Sequence, residues 1–211
     1  EEKYAAATYI PTTLVISKDV EQIHMCFTFK APKRDSRHRF SLAVLNTLFG
    51  GGMSSRLFQN IREEKGLAYS VYSMNSSFRD AGYFNIYAGV SHDMIGAAIE
   101  GIREELDMLD RKGLTDEEIS MSKEQLKSSY IFGQENVASR MFAIGKNLLL
   151  LGKVYGTEEV LEGIDRVTAV KILFYIHMEL HIFFLLFCLS FQRFINIITP
   201  KDIAIITATH T

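Results

Sequence analysis

The chain has 211 residues, of which 47% are hydrophobic and 11% aromatic, so it has enough apolar material for one sizeable core and is not a disordered chain. Its 23 Lys and Arg residues are nearly balanced by 25 Asp and Glu residues, which leaves no basic field for a nucleic acid partner. Two cysteines far apart exclude a disulfide framework and indicate a reducing compartment, which we expect to be the cytoplasm or, alternatively, the mitochondrial or another organelle matrix.

The first third of the chain predicts two strands followed by two helices. Residues 23–30 alternate between apolar and polar side chains, which is typical of a half-buried strand, and residues 12–16 predict an earlier strand. Apolar residues at helical spacing predict a helix over 36–48. A second, short helix is predicted between an N-cap at Ser55 and a C-terminal cap at Gly66.

The middle of the chain predicts a β-hairpin. Residues 67–78 and 82–90 are the two predicted strands, and the Asp and Gly of the loop between them supply turn chemistry. After the hairpin the pattern becomes helical, and Thr115 opens one of the helices with a capping box. Two helices are predicted over 91–113 and 136–151, and two more begin at residues 115 and 157. A last strand over 203–208 is predicted to return to the sheet.

These elements predict an α+β fold in which a mainly antiparallel sheet is packed by helices. We find no internal repeat, low-complexity run or linker, so we expect a single domain over residues 1–211.

Three consecutive glycines, Gly50 to Gly52, precede the second helix. Backbone N–H groups at a helix N-terminus attract phosphate, but this stretch lacks the Lys–Ser/Thr ending of a P-loop and follows a helix instead of a strand. Ser55 also stands where a dinucleotide fingerprint requires Gly or Ala. We therefore expect no nucleotide site and interpret the glycines as a corner that needs positive φ.

Arg62 and Tyr69 are the two candidate site residues, and neither decides its role alone. The neighbours of Arg62 three and four positions away on a helix include no acid, so its guanidinium is expected to lack a local partner. It is then either a solvated surface arginine or a group kept free for a carbonyl or carboxylate from outside. Tyr69, taken alone, reads as a core or edge aromatic of the following strand.

The whole stretch GGGMSSRLFQNIREEKGLAYSVYS resembles the C-terminal half of the pitrilysin/insulinase family of zinc peptidases, which includes the mitochondrial processing peptidases. The resemblance extends from about Ile23 to about Thr168. It implies a protein of two related halves that close like a clamshell, one holding zinc on an H-x-x-E-H motif and the other, this one, metal-free. The partners it implies are a zinc-bearing homologous half, on the same polypeptide or separate, and a peptide substrate; a membrane is not the expected partner.

The resemblance also implies roles for the two candidate residues, because the family's R-x-x-x-G-L-x-Y pattern falls on Arg62 and Tyr69. They are expected to reach across the chamber and donate hydrogen bonds to the substrate backbone near the scissile carbonyl. The implied function is the substrate-binding, non-catalytic half of a zinc endopeptidase, inactive alone. The alternative is a peptidase-like structural or interaction subunit without a proteolytic role.

None of the six histidines forms H-x-x-E-H or H-E-x-x-H, so no metal or other cofactor is expected in this chain and zinc is expected in the partner half. The pair His177 and His181 is a near miss. On a helix Glu179 points about 200° away from His177, and Cys188 lies about 10 Å along the axis from His181, too far to share one ion. We interpret these residues as a structural stripe.

Residues 172–192 form an atypical hydrophobic segment where the family would show an amphipathic helix and a linker. The segment is long enough to cross a bilayer, but Glu179 and two histidines within it are costly in lipid, and the unbroken apolar run over 182–189 is too short to span. We expect a buried helix first, a sequence artefact second and a membrane anchor third.

Overall fold

Four strands form one sheet in the computed structural model, which describes residues 7–8, 10, 14–16, 18–176 and 206–208. The strands are β1 (Ile23–Lys30), β2 (Ser70–Ser77), β3 (Gly82–Val90) and β4 (Ile206–Ala208), in the order β2-β3-β1-β4. The β1–β3 and β2–β3 pairs are antiparallel, whereas β4 runs parallel to β1. The predicted hairpin and the mainly antiparallel sheet are confirmed.

Within the described residues, the sheet has one face buried in the core and one more accessible face, called the open face. Alternate residues of β1 and β3 point into the core, where Phe27, Phe29, Phe84 and Ile86 are fully buried. The residues between them, such as His24 and Tyr87, are only half-buried and lie on the other face. Period-two alternation therefore separates a core side from a side available to a ligand or partner.

Six α-helices accompany the sheet in the described part of the chain. They are α1 (Arg39–Phe49), α2 (Ile95–Lys112), α3 (Asp116–Glu135), α4 (Val137–Leu151), α5 (Thr157–Asp165) and α6 (Ala169–Tyr175). A 3₁₀ turn, His92–Met94, precedes α2, and a π-helix, Leu57–Glu64, connects α1 to the hairpin. The capping box of α3 is confirmed, because Thr115 accepts from the Glu118 N–H and Glu118 accepts from the Thr115 N–H.

The structure departs from the sequence prediction at two elements. Residues 14–16 lie in no strand, and the rest of the predicted 12–16 strand is outside the described residues. The short helix after the glycines has π-type geometry, with the Lys65 N–H donating to the Asn60 carbonyl five residues back, at 3.2 Å. Gly66 ends it at φ +61, as a C-terminal glycine cap requires.

Most of the hydrophobic segment 172–192, including His177 and His181, lies outside the described residues. In the portion that is described, no helix is both long and apolar enough to cross a membrane.

Candidate functional site

A groove of about 540 Å³ lies between the glycine corner, the π-helix and strand β2. Its lining residues are Asn46, Gly50–Gly52, Met53, Phe58, Arg62 and the β2 residues Ser70–Asn75. The volume is within the range of pockets that bind drug-sized ligands, about 300–1,000 Å³. Among the described strands, β2 lies at the edge of the sheet and pairs with β3 alone, so the groove runs along an edge strand.

The glycine corner is built by close packing and not by positive φ. Gly50 has φ −152, and among the described residues the glycines with positive φ are Gly66, Gly113 and Gly152, so the expectation for Gly50 to Gly52 is wrong. A Cβ on Gly50 would lie 2.3 Å from the backbone nitrogen of Ser73, and the Gly50 carbonyl accepts from that N–H at 3.0 Å. Glycine is needed here because the corner lies directly against β2.

A buried serine joins the corner to the strand. The Ser73 hydroxyl donates to Asn46 Oδ1 at 2.9 Å, and its side chain is buried behind the groove. Together with the backbone bond to Gly50, this contact holds the end of α1 against β2. The floor of the groove is therefore fixed by hydrogen bonds at Ser73.

Arg62 lies on the groove wall with 44% of its side chain exposed. Its guanidinium stacks over the Phe58 ring at 4.8 Å, and its Nε is 3.6 Å from Glu63 Oε1. The expectation that Arg62 has no local partner is therefore wrong, because the acid next to it in sequence reaches it across the surface. The 3.6 Å separation exceeds hydrogen-bond distance. Within the described residues no hydrogen bond engages its terminal amino groups.

Tyr69 lies immediately before β2 and is 59% exposed, so of the two interpretations, core or edge aromatic, the core one is wrong. Its backbone N–H donates to the Gly89 carbonyl at 2.9 Å, which fixes the entry into the strand. Leu67, whose N–H donates to the Ile61 carbonyl, turns the chain back from the π-helix. The Tyr69 hydroxyl makes no hydrogen bond within the described part of the chain and faces solvent.

The structure brings the two candidates to one region without placing both in the groove. Arg62 is a lining residue, and Ser70 lines the groove next to Tyr69, but Tyr69 itself is not among the lining residues. The five-residue connection Lys65–Tyr69 is the link between them. Both side chains are accessible from solvent, as a role in binding an external ligand requires.

Sequence reasoning missed a row of polar and aromatic side chains on the open face of the sheet. Tyr72 stacks on Tyr87 with ring centroids 4.8 Å apart, and Tyr87 Oη lies 2.6 Å from His24 Nδ1. Tyr72 also lines the groove, so the groove continues onto this face. The signal was present in the alternation of residues 23–30, whose polar side includes His24.

Two titratable groups on this face, Cys26 and Tyr72, are not activated as nucleophiles. Burial raises the pKa of the Cys26 thiol, and a hydrogen bond from Asn85 offsets only part of that rise. Burial, with smaller contributions from Tyr87 and Cys26, likewise raises the pKa of Tyr72. A thiol and a phenol in this state are protonated at neutral pH, so the row offers hydrogen bonds and aromatic surface.

No group of three or more His, Cys, Asp or Glu side chains that could hold a metal ion occurs within residues 18–176 or the other described positions. That part of the chain does not fit a zinc site of the kind the resemblance assigns to the other half.

Comparisons with known proteins agree on the family. The model of the peptidase M16 inactive domain matches residues 3–126, more than half of the chain. YmxG, an uncharacterized zinc protease of Bacillus subtilis, is 42% identical over 159 residues, which cover 75% of this chain and 39% of that protein. The chain thus spans about two fifths of that curated relative.

Solved structures show the same fold at low identity. A conserved protein from Enterococcus faecalis has a TM-score of 0.68 at 24% identity. The match covers 77% of this chain and 38% of the Enterococcus chain. A peptidase M16 inactive domain from Pseudomonas fluorescens has a TM-score of 0.64 at 18% identity. The match covers 92% of this chain and 42% of the Pseudomonas chain. The chain belongs to the peptidase M16 family of zinc proteases, as its inactive domain.

Proposed function

We propose that this chain is the substrate-binding, non-catalytic half of a zinc-dependent endopeptidase that acts on peptides or unfolded segments. The observation that carries the proposal is the position of Arg62 on the wall of a groove along the edge strand β2. A guanidinium there has N–H donors that make no hydrogen bond within the described residues and can bind a peptide carbonyl, and Phe58 beneath it restricts its orientation.

The open face of the sheet supports a peptide ligand in particular. Tyr72 and Met74 are exposed, and both line the groove beside Asn75. Aromatic and thioether surface flanked by amide groups suits an extended chain, which presents alternating side chains and backbone polar groups. Tyr69, exposed and next in sequence to the groove residue Ser70, supplies a second donor through its hydroxyl.

Hydrolysis requires chemistry that we assign to a partner. We expect zinc in a homologous half, on the same polypeptide or in trans, since the described residues provide no metal ligand set. Within this chain, Arg62 and Tyr69 are proposed to orient the substrate carbonyl and to donate to its oxygen as negative charge develops there.

The test is peptide cleavage by the chain reconstituted with its zinc-bearing half. Arg62→Ala and Tyr69→Phe should each lower kcat/KM by about 10²–10³, the usual effect of deleting one oxyanion-type donor. Arg140→Ala is the matched control, because Arg140 is exposed on α4 and does not line the groove. Zinc content and assembly of the complex should be unchanged in all three variants.

Normal cleavage by both Arg62→Ala and Tyr69→Phe would refute substrate binding at this groove and favour a structural or interaction subunit. A specific observation gives that alternative some support. Several large apolar side chains are exposed on α3 and α4, as is usual for a surface that meets another protein. They are Phe132, Val137, Phe142 and Leu149.

A further inference from the structure

A second cavity, at the N-terminal end of α1 and so at the end opposite the glycine corner, has a volume of about 270 Å³. It lies between the loop before α1, the first turn of α1, the ends of β2 and α3, α4 with the loop that follows it, and α5. Its apolar wall consists of Phe40, Ala43, Ile144, Val154 and Val160. None of the residues that line it lines the groove at Arg62.

Two arginines line this cavity, and both are held in place by neighbours. Arg34 donates its Nε to Asn147 Oδ1 at 3.0 Å, and its backbone N–H donates to the Phe78 carbonyl at 2.9 Å. The guanidinium of Arg39 stacks on the ring of Tyr155 at 4.0 Å and on the ring of Phe40 at 4.5 Å. Each cation is therefore oriented before any ligand arrives, which lowers the entropy cost of binding one.

Within the described residues, no carboxylate balances the charge of these two arginines inside the cavity. No described Asp or Glu lines it, and neither arginine forms an ion pair with a described carboxylate. Arg39 interacts electrostatically with the Glu159 carboxylate, but an oxygen of Glu159 already accepts a hydrogen bond from Lys153 Nζ at 2.6 Å. That hydrogen bond, with a smaller contribution from Arg39, holds the pKa of Glu159 below its usual value.

We infer that this cavity is a binding site for a carboxylate carried on a short aliphatic body, with Arg34 and Arg39 binding the carboxylate and the apolar wall binding the aliphatic part. Planar guanidinium groups match the geometry of a carboxylate and form charge-assisted hydrogen bonds with it. A volume of about 270 Å³ admits a small acid or a single acidic side chain and excludes a nucleotide. The inference is independent of the proposed peptidase role.

The experiment is an NMR titration of the ¹⁵N-labelled chain, followed at the arginine Nε–H signals. Four probes are used: pentanoate, a capped Ala-Glu-Ala peptide, pentan-1-ol and inorganic phosphate. Pentanoate should shift the Arg34 and Arg39 signals saturably, and pentan-1-ol, which has the same tail without the charge, should not. Saturation by the Glu peptide as well would identify peptide side chains as ligands, and its absence would restrict the site to free acids.

Arginine variants test the assignment. Arg34→Gln and Arg39→Gln should each weaken pentanoate binding at least about tenfold, since each removes a charge-assisted contact. Arg39→Lys keeps the charge, so its affinity for pentanoate should lie between those of the parent and Arg39→Gln. Arg140→Gln makes the same charge change on α4 outside the cavity and should bind pentanoate like the parent. The backbone spectrum of each variant reports whether it folds, and Arg39→Lys replaces Arg39→Gln if the latter does not.

Three results would overturn the inference. They are equal binding of pentanoate and pentan-1-ol, pentanoate affinity unchanged in both arginine variants, and arginine-dependent binding of phosphate without binding of pentanoate.

Discussion

At the scale of single residues, the least expected group is a buried carboxyl that the proposed function does not use. Glu105 of α2 is only 3% exposed, and its Oε2 has no hydrogen-bond partner among the described residues. Burial raises its pKa above the usual value of 4.5, although a hydrogen bond with Asn60 and the charges of Arg56 and Lys65 oppose the rise. Asn60 belongs to the π-helix, so this carboxyl contacts the element that carries Arg62.

The raised pKa predicts a stability that falls with increasing pH. Between pH 4.5 and the folded-state pKa the native chain binds more protons than the unfolded chain, so the free energy of unfolding decreases as pH rises through that window. Glu105→Gln removes the ionisation. In urea unfolding, the free energy of unfolding of the variant should therefore increase relative to that of the parent as pH rises from 4 to 8.

One outcome of the same measurement would contradict this prediction. If Glu105→Gln is less stable than the parent, and more so at pH 8 than at pH 4, then the ionised carboxylate is favoured by its neighbours and burial is not the dominant effect. Glu104, which raises the pKa of Glu105, should be left in place so that only one charge changes.

At the scale of elements, the close packing of the glycine corner predicts that Gly50→Ala lowers the stability of the chain. Gly50→Ala would place a Cβ 2.3 Å from the Ser73 backbone nitrogen, where no flexible side chain can move aside. The φ of −152 is accessible to alanine, so the cost comes from overpacking alone, about 1–3 kcal/mol. Gly133→Ala in α3 is the control: nothing lies within 4 Å of its Cβ, and alanine should be neutral or stabilising by about 0.5–1 kcal/mol.

Urea unfolding of both glycine variants checks this prediction. A Gly50→Ala chain as stable as the parent would show that α1 moves away from β2 at no cost. The groove would then not be held rigidly at Ser73.

The elements that could be predicted from sequence are those whose signals are local. The alternation of β1 gave its bounds without error, and the capping box at Thr115 is local hydrogen-bond chemistry. The π-helix could not be predicted, since Leu57 and Ile61 are buried at a spacing that an α-helix also allows. The parallel pairing of β4 with β1 depends on chain topology, which period-two alternation does not contain.

The candidate site was predicted less completely than the fold. Arg62 was singled out because no acid lies three or four positions away, yet Glu63 reaches it from the next position, a contact that helix spacing rules do not consider. The groove itself requires the corner of Gly50 to lie against β2, residues that are more than twenty positions apart. Such contacts follow from tertiary packing.

At the scale of the whole molecule, the groove at Arg62 continues through Tyr72 onto the sheet face opposite the core of the described residues. A second half closing over that face would cover both the groove and Tyr72, in keeping with the two-half arrangement that we propose. The single domain over 1–211 stays a prediction, because residues 177–205 lie outside the described part of the chain.

The hydrophobic segment 172–192 decides whether that single domain is correct. If it is a buried helix, Phe183→Asp combined with Leu186→Asp should unfold the chain, since burying unpaired charges costs several kcal/mol against a total stability of roughly 5–15 kcal/mol. Leu149→Asp is the control, because Leu149 is 87% exposed on α4 and a single Asp there adds only a solvated charge. Circular dichroism and urea unfolding distinguish the outcomes. A double variant as stable as the Leu149→Asp chain would contradict the buried helix and leave the segment outside the domain core.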